Sequence, residues 1–192
     1  MTFITDIYKL ANTGQTVFSL TELSNANKEY IGTKLNSAVK YLVKNNDLIR
    51  ISKGLYSLNN NYSVQEFANK FRIPSYIGLY TVLLESGIVF QPYTSIYLLS
   101  KRSETKSINN INIVYRNIKD EILLNPLGIK NINGVFKATP ERAICDKIYL
   151  DGDEYFDNLR NINWELVNSI NKNVYNDNKV ISKWIQKNTK LI

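Results

Sequence analysis

The stretch from Ser19 to Leu58 constrains the fold more than any other part of the chain, because three local signals follow one another in a fixed order. It reads SLTELSNANKEYIGTKLNSAVKYLVKNNDLIRISKGLYSL. Ser19 and Glu22 form an S-x-x-E capping box, which ties off the free N–H groups at the start of a helix carrying Leu20 and Leu23. An Asn-rich stretch, 24–30, suits a turn. A second helix runs from about Gly32 to Asn45, capped by Asn27 or Gly32. Its residues Ile31, Leu35, Ala38, Val39 and Leu42 fall in an apolar stripe about 100° wide, as a core-facing helix requires. Two β-prone runs, 48–51 and 55–58, are joined by Ser52-Lys53-Gly54, where Gly54 can adopt a positive φ. Helix, turn, helix and hairpin in that order predict a winged helix-turn-helix, whose second helix can enter a major groove while the hairpin touches the backbone beside it.

Charge agrees with an anionic partner. The 192 residues carry a formal charge of +7, and residues 28–53 hold six Lys/Arg against two Asp/Glu, more than half of that surplus. No acidic residue falls between 30 and 44. The face opposite the apolar stripe presents Thr33, Ser37, Lys40 and Lys44, with Tyr30 at its start and Lys34 near it. Hydroxyl and ammonium groups are the usual tools for base edges and phosphates. Arg50 and Lys53 on the hairpin give a second cationic contact, and such charges also block edge pairing of the sheet. Tyr56 is expected to pack the hairpin onto the helices. A winged helix used for protein contact is the competing reading.

Missing residues exclude several classes of chemistry. There is no histidine, which removes Ser-His-Asp and Cys-His catalysis and the commonest metal ligand. The single cysteine, Cys145, allows neither an intrachain disulfide nor a Cys-rich zinc site; it reads as a small buried hydrophobe. Glu141 and Asp146 lie about 140° apart on a helix and share no face, so a metal-dependent nuclease is disfavoured. No enzyme activity, metal or cofactor is expected. MTFITDIYKL shows no signal-peptide pattern and no run is apolar enough for a membrane span, so a cytoplasmic location is expected.

Elsewhere the patterns predict an α+β chain. Phe3, Ile4, Ile7, Tyr8 and Ala11 mark an N-terminal helix over 2–12. Asn59-Asn60-Asn61-Tyr62 reads as a linker, dividing a domain over 1–60 from one over 61–192. Ser63 and Glu66 open a short helix that Pro74 stops, and Ser75 is expected to cap another from Tyr76 to Ser86, ending at Gly87. Strands are expected at 93–99 and 111–116, with a hairpin over 128–138 centred on Asn133-Gly134. Lys101, Arg102 and Ser103, with Lys106 near, form a basic loop: a solvated surface first, a phosphate or partner contact second. Thr139-Pro140 opens the helix ERAICDKIYL, on which Arg142 and Asp146 make an i,i+4 pair worth a few tenths of a kcal/mol on a surface. Asp151-Gly152-Asp153 ends it. A helical tail, 153–192, holds two helices with Trp164 and Trp184. No internal repeat is apparent.

Three segments, LNSAVKYLVKNNDLIRISKGLYSL, PSYIGLYTVLLESGIV and KATPERAICDKIYL, together resemble the AbiEi-type antitoxins of type IV toxin–antitoxin (abortive infection) systems. The likeness spans roughly 17–152 and lies in the Gly-Leu-Tyr ending of the hairpin, the Ser-Tyr-Ile opening and the Thr-Pro-Glu-Arg-Ala helix. It implies a winged-helix autorepressor binding the double-stranded operator of its own operon. It also implies a C-terminal domain that neutralises a nucleotidyltransferase-fold toxin without requiring a stable complex. A stand-alone regulator without a toxin is the alternative within the same family.

Overall fold

The computed structural model describes residues 2–189, so residues 190–192 of the expected helical tail lie outside it. The chain is α+β, and it divides into two compact units between Phe71 and Arg72. This division falls after the expected linker at 59–62, because the helix following the linker is bound to the N-terminal elements.

The first unit comprises α1 (Phe3–Ala11), β1 (Phe18–Ser19), α2 (Leu20–Ala26), α3 (Gly32–Lys44), β2 (Ile49–Ser52), β3 (Leu55–Ser57) and α4 (Val64–Phe71). The strands form a small antiparallel sheet in the order β1-β3-β2. Phe3, Ile7, Phe18, Leu23, Leu35, Val39, Leu42, Leu48 and Tyr56 make one core from every element up to β3 except β2. The capping box closes both ways: Glu22 N–H donates to Ser19 Oγ at 3.2 Å, and Ser19 N–H donates to Glu22 Oε2 at 2.8 Å. Ser19→Ala is expected to cost this unit about 1 kcal/mol, read as a lower urea midpoint; an unchanged midpoint would show that β1 pairing alone holds the helix start. Neither expected cap opens α3. The Asn27 side chain is committed to Asp6 (2.8 Å) and to the Glu29 N–H (3.0 Å), so Ile31 stands at the N-cap without a side-chain bond. At the hairpin, Gly54 has φ +78, a conformation costly for residues with a Cβ.

α4 starts as its Ser63 cap predicts, with Glu66 N–H donating to Ser63 Oγ at 3.2 Å. The reciprocal half of that box is not made. Glu66 turns instead to the N-terminal segment, where its Oε2 accepts from Thr16 N–H (2.8 Å) and Thr16 Oγ1 (2.6 Å). Lys70, with 8% of its side chain exposed, reaches Val17 O (2.6 Å), Glu22 (2.7 Å) and Glu66 (2.9 Å). These bonds bind α4 to the residues that precede and begin α2.

The second unit is built on a six-stranded mixed sheet of order β6-β7-β5-β4-β9-β8. Its elements are β4 (Ser75–Ile77), α5 (Leu79–Glu85), β5 (Ile96–Ser100), β6 (Glu104–Ile108), β7 (Ile111–Asn117), α6 (Asp120–Leu123), β8 (Ile129–Ile132), β9 (Val135–Ala138), α7 (Pro140–Asp151), α8 (Trp164–Tyr175) and α9 (Lys179–Thr189). The expected helix from Tyr76 is corrected: Ser75 to Ile77 form a central strand, antiparallel to β5 and parallel to β9. Tyr76 and Ile77 are buried there, and the helix begins only after Gly78, where a Cβ would lie 2.8 Å from Leu99 Cδ2. Asn133-Gly134 makes the β8–β9 turn with φ +51 and +82, the left-handed pair a two-residue hairpin needs. Asn109-Asn110 (φ +48 and +61) does the same for β6 and β7, a hairpin the sequence reading missed.

α7 is the hub of this unit. Thr139 Oγ1 accepts from Arg142 N–H at 3.3 Å and Pro140 takes the first position, as expected. The expected surface pair is corrected: Arg142 and Asp146 are both 0% exposed. Arg142 Nε donates to Asp146 at 3.2 Å, its Nη1 to Leu127 O (2.7 Å), and its Nη2 to Ile122 O (2.7 Å) and Tyr76 Oη (3.1 Å). Asp146 also accepts from the hydroxyls of Tyr76 (2.9 Å) and Tyr175. Burial pushes the Asp146 carboxyl up from the carboxylate range, against the opposing pull of Arg142 and the two hydroxyls. Cys145 is buried, and burial pushes its thiol up. In the tail, Trp184 stacks near Trp164 (centroids 5.7 Å apart) and meets Phe156 edge-on. No helix among the described residues is long and apolar enough to cross a membrane.

Candidate functional site

α3 carries the candidate site of the first unit. Leu35, Val39 and Leu42 are buried, and their spacing leaves one face outward. Thr33, Lys34, Asn36, Ser37, Lys40, Tyr41 and Lys44 are all exposed. The helix contains no acidic residue, so its outward field is set by three lysines. Thr33, Ser37, Lys40 and Lys44 project within about 60° of one another, near the middle of the exposed arc. Hydroxyls can donate or accept and ammonium groups can only donate. A polyanion with polar edges between its charges matches that chemistry.

Tyr30 and Lys34 have a more structural setting. The Tyr30 ring is half-buried and stacks on Phe3, with centroids 4.4 Å apart, and the Lys34 ammonium lies 4.7 Å from the Tyr30 ring centre. Tyr30 therefore fixes the entry to α3 and holds Lys34 near the helix start. On the hairpin, Arg50 and Lys53 are both exposed. Arg50 Nε makes a 3.4 Å contact to Ser52 O across the irregularity in β2, which orients the guanidinium along the strand. Tyr56 is in the core, as expected. Asn36 and Tyr41 are the exposed α3 residues that the sequence reading left out. Helical spacing was the available signal for Tyr41, which stands four residues after Ser37.

The basic loop of the second unit is divided by the fold. Lys101 pairs with Asp120 at 2.8 Å, and Lys106 belongs to β6. Arg102 is exposed, while its N–H and C=O close a turn on Ser100 Oγ. Glu141 is buried and accepts from Asn163 N–H at 3.2 Å. A second polar cluster has Lys147 between Asp151 (2.9 Å) and Glu154 (2.5 Å), with its ammonium 4.7 Å from the Tyr80 ring centre. Tyr80 donates to Glu154 at 2.7 Å, and burial pushes its hydroxyl up to about 12. With Arg116 also on Asp151 at 2.8 Å, its charges are matched within the unit, so it binds α7 to the segment after it. Among the described residues, no three His, Cys, Asp or Glu side chains gather where they could hold a metal. Comparison with protein-family models found no match, and neither did comparison with curated proteins.

Proposed function

We propose that the first unit is a winged helix-turn-helix that binds duplex DNA, and that the chain represses its own operon while serving as the antitoxin of a type IV system. The observation that carries the DNA-binding part is the acid-free outward face of α3, which presents Thr33, Ser37, Lys40 and Lys44, together with the exposed hairpin cations Arg50 and Lys53. The succession α1, β1, α2, α3, β2, β3 supports it, because that order sets a helix beside a hairpin in one module. The antitoxin part rests on the resemblance of residues 17–152 to AbiEi-type proteins, with a nucleotidyltransferase-fold toxin as the functional partner.

Titration of the full chain against the duplex upstream of its own gene tests the DNA-binding reading. With Lys40, Lys44, Arg50 and Lys53 on phosphates, log K falls against log salt with a slope of about −3 to −4 per monomer. Lys44→Ala and Lys53→Ala weaken operator and random DNA equally, because phosphates carry no sequence information. Thr33→Ala or Ser37→Ala erodes the preference between them, at roughly 1–3 kcal/mol per lost base contact. Absence of binding at low salt, or affinity that ignores salt, would sink the reading.

A further inference from the structure

We infer that Tyr41 reads the 5-methyl group of a thymine in the bound duplex, so that α3 selects thymine-bearing major groove. This rests on the DNA-binding reading above and adds the base that the helix recognises. Tyr41 is 64% exposed, and neither its ring nor its hydroxyl has a hydrogen-bond or ring partner among the described residues. The large apolar side chains exposed in this unit are Tyr8, Ile31 and Tyr41. Tyr8 is on α1, and Ile31, the N-cap residue, lies about 150° from the middle of the Thr33/Ser37/Lys40/Lys44 line. Tyr41 alone of the three shares that face. It stands one turn after Ser37 and three residues before Lys44, so a groove that receives Ser37 and Lys44 also receives the ring.

The ring's chemistry selects what it can meet there. Base edges in the major groove offer hydrogen-bond donors and acceptors, and the one apolar group among them is the thymine methyl. A tyrosine ring presents an apolar body with a polar tip. Set beside two hydroxyls and two ammonium groups, it supplies the apolar contact that they lack. The ring lies on the methyl while the hydroxyl stays in water.

The test uses the full chain with a duplex enriched from a random pool for tightest binding. Each thymine is replaced singly by deoxyuridine, which removes only the methyl. At one thymine the parent is expected to bind about fourfold more weakly, the effect of uncovering one buried methyl. Tyr41→Ala is expected to bind the thymine duplex roughly tenfold more weakly, and to be indifferent to deoxyuridine at that thymine. Tyr41→Phe is expected to behave as the parent does. If no thymine responds in the parent while Lys40→Ala still weakens binding, the assignment falls and the DNA-binding reading stands. If Tyr41→Phe loses as much as Tyr41→Ala, the hydroxyl is the contact and the methyl assignment is overturned. If Tyr41→Ala binds every duplex as the parent does, the ring faces something other than DNA, such as a protein partner. If the parent binds no duplex, both the reading and the assignment fail together.

Discussion

Arg142→Met is expected to destabilise the second unit by about 3–5 kcal/mol, the cost of removing one member of a buried ion pair. The guanidinium is fully buried, and each of its nitrogens is committed to oxygen acceptors. Methionine fills much of the volume but leaves Asp146 charged, or forces it to take up a proton, in a site without solvent. The carbonyls of Ile122 and Leu127 lose their donors in the same step. Those carbonyls belong to α6 and to the segment between it and β8, so the loss also frees both from α7. Replacing both partners, Arg142→Met with Asp146→Leu, should recover much of the loss, since no uncompensated charge remains. Urea unfolding of the two variants beside the parent measures this. A loss for Arg142→Met below about 1 kcal/mol would place the pair in the range of a solvated surface bridge and reject the buried-network account.

That pair shows where sequence patterns stop being informative. An i,i+4 Arg and Asp look the same on a wet helix and in a dry core, because the spacing describes the helix alone. What buries them is non-local: Tyr76 from β4, Tyr175 from α8 and carbonyls from α6 and the connection that follows it. The same limit hid β4. Ser75-Tyr76-Ile77 follows a proline and looks like a capped helix start, and only its two sheet neighbours make it a strand. β1 is two residues long, too short for any period to register. By contrast, α3 was legible in its stripe from Leu35 to Leu42, which repeats over two turns, whereas Ile31, expected in the same stripe, stands exposed at the N-cap. Its outward polar residues follow from that stripe by subtraction. Tyr41 is less legible because an aromatic ring suits a core as well as a surface, and only its place on the helix turns it outward. Tyr30 was legible as lying near the site, but its stacking on Phe3 depends on α1, which the local pattern of α3 cannot contain.

The place where the first unit ends carries the second large expected effect. A fragment of residues 1–71 is expected to fold cooperatively, and one of residues 1–60 is expected to lose most of its stability. The shorter fragment retains every element from α1 to β3, so the linker pattern at 59–62 makes it look sufficient. It lacks α4, and with it Glu66 and Lys70. Thr16 then loses the carboxylate that accepts from its N–H and hydroxyl, and Val17 O and Glu22 lose the Lys70 ammonium. Hydrogen bonds to charged groups contribute roughly 1.5–3 kcal/mol each in such settings, so losing several together rivals the 5–15 kcal/mol that holds a whole domain. Thr16 and Val17 lead into β1, Glu22 lies in the first turn of α2, and β1 is paired to β3, the second strand of the hairpin. Damage there reaches the hairpin as well as the helices. Circular dichroism melts of the two fragments decide the matter, with the outcome set by backbone rather than by DNA. Equal melting temperatures would show that α4 is an attachment and that the unit ends at the linker. A sharp transition in 1–71 with a broad, early one in 1–60 would establish α4 as part of the module. Any fragment of the first unit used to test the proposed DNA binding would then have to include it.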